Sequence, residues 1–303
     1  MALTWLGLAA APAWAARPVV LGSGPGGLLA LAAAGGTGYA VIGTGDPAKP
    51  FALVLSSGRG AGARVPFGEP GAENADIDAG PGGAVVTWSR EISSAFELSL
   101  ARADDLAHPR EVAEGTGPPH VDAQSATPRL AYPDLTGDVM LGADRLTDDA
   151  PEHRNLPLDA KDGLVLDLDQ QRGATRLRVL GAQAPTQPVV SLASLEGLEA
   201  SLAVASNRVY VAFVRAGRAF LATAERSAGA RWSTRRIADG VSGRPAIART
   251  ARRTYVAYAR HGAIRLNDRT LGIGSRPLIA VAAPDDVLVG WTRRRTALLV
   301  RTG

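Results

Sequence analysis

Cysteine is absent from this 303-residue chain, and aromatic residues make up only 5% of it. The absence of cysteine excludes disulfide frameworks, thiolate zinc sites, iron–sulfur clusters and cysteine nucleophiles. Beyond the N-terminus there is no apolar run of about 18 residues, which excludes a bundle of membrane-spanning helices. Hydrophobic residues nevertheless make up 46% of the chain and the net charge is only +4, so the composition is that of a folded protein.

The first fifteen residues, Met1–Ala15, predict a secretory signal peptide. The segment is apolar, too short to span a bilayer, and ends in the small-x-small pattern Ala13-Trp14-Ala15, although no Lys or Arg precedes it. The alternative is an apolar first strand. We predict a secreted protein, extracellular or periplasmic, whose mature domain is 16–303. Because ATP and NADH are not supplied outside the cell, export disfavours a nucleotide-dependent enzyme.

A repeated unit runs along the chain, in which a short segment and a turn precede an apolar strand that mostly ends in a bulky residue. The spacings between successive unit ends are 33 to 45 residues. The unit ends are Gly43, Trp88, Tyr132, Leu168, Phe213, Tyr258 and Trp291. Periods in this range with several short strands per unit are typical of propeller blades. We therefore predict one all-β domain, a seven-bladed β-propeller, with six blades as the alternative if the short fourth unit is an insertion.

The strand pattern also predicts how the ring closes. The last unit lacks an outer strand, whereas Pro18-Val19-Val20-Leu21 has no unit of its own. Adding this segment to the last blade would remove exposed strand edges. One segment departs from the strand pattern, because leucines within Ser191–Ala205 fall near helical spacing. They predict a short helix before the fifth unit.

A family resemblance rests on the junction between the fifth and sixth units. There Ser227, Gly229 and Trp232 fit the pattern Ser-x-Asp-x-Gly-x-Thr-Trp, with the Asp missing and the spacing one or two residues short. The segment resembles the BNR, or Asp-box, hairpin of sialidase-like propellers. The resemblance implies a propeller in which the following segment opens the next blade.

The activity of that family would require an arginine triad, a Tyr–Glu nucleophile pair and an Asp general acid. The five tyrosines fall inside strand patterns as packing residues, namely Tyr39, Tyr132, Tyr210, Tyr255 and Tyr258. The Arg-x-Pro-like feature Arg244-Pro245 lies late in the chain instead of near its start. The resemblance therefore concerns the fold, and the sequence identifies no catalytic residues.

A glycine-rich motif, Gly22-Ser-Gly-Pro-Gly-Gly27, matches the G-x-G-x-x-G fingerprint of flavin and nicotinamide enzymes. The acidic residue expected about 20 positions later is missing, and no alternation of strands and helices follows. A glycine-rich turn between two strands is the favoured interpretation. A flavin- or nicotinamide-binding protein is a remote alternative, and we predict no cofactor.

Other polar groups show no catalytic or metal-binding spacing. The four histidines, His108, His120, His153 and His261, lack any metal-ligand pattern, and His120 opens a repeat strand from which it could face a central channel. Asp167-Leu-Asp169 resembles part of a calcium loop, but a hairpin with a polar turn at 170–173 is favoured. We predict no metal site. The positions flanking the inner strands are Asp76, Asp78, His120, Asp122, Asp159 and Arg249.

Charge is distributed unevenly along the chain. Residues 201–303 hold 19 Arg, no Lys and 5 Asp or Glu, whereas the remainder carries a net charge of −10. A basic half could attract an anionic polymer or glycan, although 31 Arg against 2 Lys also indicates a compositional bias of the genome. Few aromatics lie between the arginines, which disfavours nucleic acid.

These observations favour a secreted, non-catalytic β-propeller, expected to be a monomer, that binds a ligand or a protein or glycan partner. The binding site would be a loop face or the central channel. The alternative is a sialidase-like glycoside hydrolase or lyase, which requires charged side chains that converge at the channel mouth.

Overall fold

A computed structural model describes residues 17–125, 127–150, 152–193 and 198–302. These residues form 28 strands and contain no helix, in seven antiparallel sheets of four strands each. The protein is therefore a seven-bladed β-propeller, as the repeat predicts, and the six-bladed alternative is wrong. The predicted signal peptide, Met1–Ala15, lies outside the described residues.

Blades 1 to 4 follow one another along the chain. Blade 1 contains β2 (Leu28–Ala34), β3 (Thr37–Gly43), β4 (Phe51–Ser56) and β5 (Ala61–Phe67). Blade 2 contains β6 (Ala72–Gly80), β7 (Gly83–Ile92), β8 (Ala95–Arg102) and β9 (Arg110–Gly115). Blade 3 contains β10 (His120–Asp122), β11 (Arg129–Pro133), β12 (Val139–Leu141) and β13 (Asp144–Arg145). Blade 4 contains β14 (Arg154–Lys161), β15 (Leu164–Gln171), β16 (Ala174–Gly181) and β17 (Val190–Leu192).

Blades 5 to 7 complete the ring. Blade 5 contains β18 (Glu199–Ala205), β19 (Arg208–Arg215), β20 (Arg218–Glu225) and β21 (Ser233–Asp239). Blade 6 contains β22 (Val241–Arg249), β23 (Thr254–Arg260), β24 (Ala263–Leu266) and β25 (Arg269–Ile273). Blade 7 contains β26 (Ser275–Ala283), β27 (Asp286–Arg293), β28 (Thr296–Thr302) and, from the other end of the chain, β1 (Val19–Ser23).

Strand β1 closes the ring, which confirms the sequence prediction. It pairs antiparallel with β28, with Val19 opposite Leu299 and Ser23 opposite Thr296. Because β1 supplies the outer strand of blade 7, the ring joins the two ends of the described chain through backbone hydrogen bonds.

The core lies between adjacent blades, because the second strand of a blade is covered on both faces. In β19 the run Val209–Phe213 is buried throughout, and in β23 the run Tyr255–Ala259 is buried likewise. Between blades 1 and 2, the ring of Phe67 lies 5.4 Å from those of Phe51 and Trp88. Such continuous apolar runs are expected of strands sandwiched on both sides.

The glycine-rich motif forms the link between β1 and β2, which belong to different blades. The segment after it, Leu28–Ala34, is a strand, so the helix required by the dinucleotide-binding interpretation is missing and that interpretation is wrong. A Cβ on Gly24 would lie 2.0 Å from the carbonyl oxygen of Gly43, and a Cβ on Gly43 would lie 1.8 Å from that of Pro25. Close packing of two backbone segments therefore explains these glycines.

Two further sequence predictions fall in blades 4 and 5. The helix predicted over Ser191–Ala205 is wrong for the described residues, because β17 and β18 occupy both ends of it and 194–197 lie outside the described part. Leu192 and Leu202 face one apolar core from strand positions instead, and Leu198, just before β18, packs in the same core. The segment that resembles an Asp-box hairpin connects β20 to β21. The next strand along the chain, β22, opens blade 6 as predicted.

Candidate functional site

The innermost strands of the seven blades surround an axial channel. These strands are β2, β6, β10, β14, β18, β22 and β26. Three cavities lie along these strands. The one at the middle of the inner strands, which we call the waist, has a volume of about 100 Å³. The one where inner strands begin, the entry mouth, has about 270 Å³, and the one where they end, the exit mouth, has about 530 Å³. The exit mouth has the volume of a small-molecule pocket.

One side of the waist is charged. In blades 2 and 3, Nδ1 of His120 lies 3.3 Å from Oδ2 of Asp76. From blade 6, Nη2 of Arg244 reaches past blade 5 to lie 3.2 Å from Oδ2 of Asp159 and to donate to the carbonyl of Leu158 at 2.7 Å. The charged groups that the alternative hydrolase requires do converge in the channel, but each is matched with an opposite charge.

The other side of the waist is apolar. Blades 1 and 7 line it with Leu29, Leu31, Leu278 and Ile279. A molecule in the channel would therefore meet paired charges on one side and hydrocarbon on the other. This two-sided lining resembles the mixture of apolar walls and a few polar groups that is common in ligand pockets.

Carboxylates of the inner strands also join neighbouring blades. The backbone N–H of Val121 in blade 3 donates to Oδ2 of Asp76 in blade 2 at 3.2 Å, and that of Ala123 donates to Asp78 at 2.9 Å. Between blades 4 and 5, the N–H of Leu202 donates to Oδ2 of Asp159 at 2.9 Å.

Asp122 forms the equivalent bridge between blades 3 and 4. Its fully buried carboxylate accepts from the N–H groups of Asp162 (3.0 Å) and Gly163 (2.7 Å), and Arg129 lies 3.2 Å away. We call Asp76, Asp78, Asp122 and Asp159 the clip carboxylates. These carboxylates hold blades 2 to 5 in register, because charge-assisted hydrogen bonds of this kind are strong and directional.

The electrostatics of the waist favour the charged forms of Asp76 and Lys161. Burial alone would raise the pKa of Asp76, but the hydrogen bond and charge of His120, with the backbone N–H groups of Ile77 and Val121, outweigh burial and hold that pKa below its ordinary value. Burial alone would lower the pKa of Lys161, but the carboxylates of Asp78 and Asp159 raise it. An ionised carboxylate and a protonated amine are poor proton donors and acceptors at neutral pH.

The exit mouth contains one cation without a carboxylate partner among the described residues. Asp78 there contacts Lys161, and Asp162 contacts Arg226. Arg249 instead lies with its guanidinium 5.8 Å from the centre of the Tyr210 ring and 3.4 Å from the carbonyl of Ala251. Its Nε is buried and makes no hydrogen bond.

The walls around Arg249 are mostly small and apolar. Side chains from blades 1, 5, 6 and 7 supply Leu31, Ala33, Ala203, Ala205, Ile247, Ala248, Ala280 and Val281. The remaining polar side chains are those of Ser206 and Gln124, and the amide of Gln124 is held by Asp78 and by the carbonyl of Ala79. The exit mouth therefore combines small apolar side chains with the paired charges of Asp78, Lys161 and Asp162, and Arg249 is its cation without a carboxylate partner among the described residues.

The sequence-predicted positions divide into three groups. Asp76, His120 and Asp159 line the waist, while Asp78 and Arg249 line the exit mouth. Asp122 is wholly buried between blades and does not line the channel. Sequence analysis missed Lys161 and, as a channel residue, Arg244. The signal for Lys161 was its position two residues after Asp159, on the same face of the strand.

The remaining histidines lie outside the channel. His108 is exposed beside Asp105, and His261 occupies an exposed turn. Nδ1 of His153 lies 2.8 Å from Oδ1 of Asp169. No group of His, Asp or Glu side chains in the described part of the chain is arranged to hold a metal ion.

The partial calcium-loop pattern has a different explanation. Asp167 and Asp169 lie on β15 with fully buried side chains, and Nε of Arg178 donates to Asp167 at 2.9 Å. Burial raises the pKa of Asp167 to about 6, against the opposing effect of Arg178. The hairpin interpretation is confirmed, because β15 and β16 pair up to Gln171 and Ala174 around the turn.

Comparison with known proteins supports the fold alone. No protein-family model matches the chain, and no curated protein matches it. Among solved structures, the β-propeller domain of the Trilobed protease from Pyrococcus furiosus has a TM-score of 0.54 at 11% identity, with 91% of this chain and 94% of that chain covered. That propeller has an open velcro topology, whereas here β1 completes blade 7.

Puromycin hydrolase gives a second group of matches. Two of its structures have TM-scores of 0.54 and 0.52 at 16% identity, and cover 96% of this chain but only 53% of the hydrolase. The chain thus spans about half the length of those proteins. At such identities the likeness identifies this chain as a β-propeller and says nothing about its chemistry. Separately, no helix among the described residues is long and apolar enough to cross a membrane.

Proposed function

We propose that this protein is a secreted, non-catalytic binding propeller whose exit mouth holds a small molecule with an apolar body and one anionic group. The observation that carries the proposal is the guanidinium of Arg249, which lacks a carboxylate partner among the described residues and lies at the wall of a cavity of about 530 Å³. An anionic oxygen would supply the partner that this guanidinium lacks.

The paired charges of the waist support binding over catalysis. A glycosidase needs one carboxyl group with a raised pKa to act as acid, and a second carboxylate that is free to act as nucleophile or base. Asp76 has a lowered pKa, and both Asp76 and Asp159 already accept backbone hydrogen bonds and face a cation. These groups act as structural supports around the cavity.

The test uses ligand-induced stabilisation of the whole chain with defined probes. We expect octanoate to raise the Tm of the protein more than octanamide, its neutral analogue of similar shape. Arg249→Gln should weaken octanoate binding by about 10- to 100-fold, the value of one charge-assisted hydrogen bond or slightly more. Arg252→Gln is the matched control, because Arg252 is exposed at the outer end of the same turn.

Two results would contradict this proposal, the first in part and the second as a whole. Equal binding of octanoate and octanamide would retain the cavity but contradict the anionic class of ligand. Failure of a series of carboxylates, from acetate to dodecanoate, to bind at millimolar concentration would contradict the proposal as a whole.

The second candidate is a sialidase-like glycoside hydrolase or lyase. It is favoured by the presence of Asp76, His120, Asp159 and Arg244 around one cavity, together with the segment that resembles an Asp-box hairpin. Fluorogenic glycosides incubated with the wild type and with Asp159→Asn test it. Turnover that this substitution abolishes, in a variant that remains folded, would favour the hydrolase.

A further inference from the structure

The waist and the exit mouth are adjacent parts of one channel. Five side chains border both cavities, and these are Leu31, Lys161, Leu202, Ile247 and Ile279. Four of the five are apolar, and the lysine is paired with Asp78. A hydrocarbon chain that enters from the exit mouth would therefore reach the waist along apolar surface. The chemistry of the waist then determines which group the far end of that chain should carry.

The waist contains two polar groups that lack a hydrogen-bond partner among the described residues. The first is Nε2 of His120, whose other ring nitrogen, Nδ1, lies 3.3 Å from Oδ2 of Asp76 and so orients the ring. The second is Oγ of Ser201, which is buried and makes no hydrogen bond. Both residues line the waist, one from blade 3 and the other from blade 5. Native proteins satisfy nearly all buried polar groups, so an unpartnered hydroxyl beside a cavity points to a molecule that occupies the cavity.

The ionic groups of the waist are already paired with one another. Asp76 faces His120, and Oδ2 of Asp159 lies 3.2 Å from Nη2 of Arg244. A second charged group on the ligand would therefore be buried there without a free partner among the described residues, which is costly. A hydroxyl avoids this cost, because it donates to a neutral imidazole, accepts from a protonated one, and can share a further hydrogen bond with Ser201.

The polar groups of the waist and Arg249 are separated by the length of a short carbon chain. On β22, Ala246 lines the waist, and Arg249 lines the exit mouth three residues further along the strand. On β18, Ser201 lines the waist four residues before the strand ends at Ala205. At about 3.3 Å per residue these separations are roughly 10 to 13 Å. Blades 5 and 6 share one apolar core, so a single extended molecule would contact both ends of the site.

We propose that the channel binds an elongated ω-hydroxycarboxylic acid, with its carboxylate on Arg249 and its terminal hydroxyl in the waist, hydrogen-bonded to His120 and Ser201. This inference rests on the proposed function and specifies its ligand, which has an anionic end, an apolar middle and a neutral polar end. The methylene chain between the two ends would pack against Leu31 and Ile247. In a wholly apolar waist a terminal hydroxyl would weaken binding, because burying it without a hydrogen bond is unfavourable.

The test compares three acids of equal chain length by isothermal titration calorimetry of the full chain, namely decanoate, 10-hydroxydecanoate and 3-hydroxydecanoate. We expect 10-hydroxydecanoate to bind about 3- to 10-fold more tightly than decanoate, the value of one net hydrogen bond. The 3-hydroxy isomer has the same composition but carries its hydroxyl near the carboxylate. It should therefore not share this preference.

A serine substitution tests whether the hydroxyl of the ligand reaches the waist. Ser201→Ala should reduce the preference for 10-hydroxydecanoate by about threefold or more and leave the affinity for decanoate unchanged. Because the removed oxygen has no partner, the variant should be no less stable than the wild type, which thermal unfolding measures. The control is Ser233→Ala, which should keep the wild-type preference, since Ser233 is exposed on the outer strand of the same blade.

Two results would overturn this inference and leave the proposed function intact, provided that Arg249→Gln weakens the binding of decanoate. The first is binding of 10-hydroxydecanoate that is no tighter than that of decanoate or of the 3-hydroxy isomer. The second is a preference that Ser201→Ala leaves unchanged, because the hydroxyl would then lie outside the waist. If none of the three acids binds at millimolar concentration, the proposed function fails together with this inference.

Discussion

The two halves of this ring are held together by different chemistry. Blades 5, 6 and 7 adhere through apolar cores, such as the one that packs Tyr258 and Val256 of blade 6 against Tyr210 of blade 5. The two interfaces of blade 3, with blades 2 and 4, have smaller apolar cores, and there the clip carboxylates Asp76, Asp78 and Asp122 accept hydrogen bonds from the backbone of the next blade.

The difference follows the size of the blades. Blade 3 has strands of 3, 5, 3 and 2 residues, too short to bury much apolar surface against its neighbours. Its inner strand β10 is instead positioned by Asp76 and Asp78 of blade 2, and its own Asp122 positions the first turn of blade 4. Where little apolar surface is buried between blades, directional hydrogen bonds hold the blades together instead.

The largest effect should come from the apolar half. Trp291 is almost wholly buried between blades 6 and 7, with its Nε1–H donating to the carbonyl of Ile273 at 3.2 Å. Trp291→Ala should lower the free energy of unfolding by about 3–5 kcal/mol because of the cavity it leaves. Urea unfolding followed by far-UV circular dichroism measures this. A loss below about 1 kcal/mol would contradict the importance of the apolar core.

The corresponding substitution at the interfaces of blade 3 is Asp122→Ala. It leaves the partly buried N–H groups of Asp162 and Gly163 without their acceptor and Arg129 without its carboxylate, and we expect a loss of about 2–3 kcal/mol. Asp122→Asn is the control, since an amide oxygen can still accept one of these bonds and should restore part of the stability. If both substitutions are equally mild, the clips do not hold blade 3.

The stability of the protein should also depend on pH through one buried carboxyl group of blade 4. The pKa of Asp167 is raised to about 6 in the folded protein, so between about pH 4 and pH 6 the folded state binds more protons than the unfolded state. This group therefore makes stability fall as pH rises through that range. Asp167→Asn should remove this decrease. Urea unfolding at pH 4.5 and pH 7 measures it, and an identical pH difference in both proteins would contradict the shift.

The smallest expected effect lies in the turn between β27 and β28. Arg294→Gly relieves a left-handed backbone conformation, and should raise the free energy of unfolding slightly, by up to about 1 kcal/mol. Urea unfolding of the variant and of the wild type measures this difference. A destabilised variant would argue against strain at this position.

Much of the fold was readable from the sequence because its signals are local and repeated. The unit ends from Trp88 to Trp291 fall in the second strands of their blades, and the unused apolar segment at Val19 matched the missing outer strand. The predicted helix failed because Leu192 and Leu202 lie on two separate strands and Leu198 lies just before the second, so their spacing reflects packing in the core between blades 4 and 5.

Only part of the candidate site could be predicted from the sequence. Positions flanking the inner strands identified Asp76, Asp78, His120 and Asp159 as channel residues, since the repeat fixes which strand lies innermost. The partners of Lys161 and Arg244 could not be found in this way. Their long side chains reach past a whole blade, from Lys161 to Asp78 and from Arg244 to Leu158, and no local pattern records a contact between residues 83 or 86 positions apart.

The closing strand β1 has a consequence for the order of folding events. Its pairing with β28 encloses all the other blades in one loop, so the entropy of joining these strands is the largest that any pairing in the ring must overcome. The remaining pairs form within single blades, between strands that are close in sequence. We therefore expect the ring to assemble as an open arc and to close last at blade 7, which makes that seam the first place to part when the protein is pulled or heated.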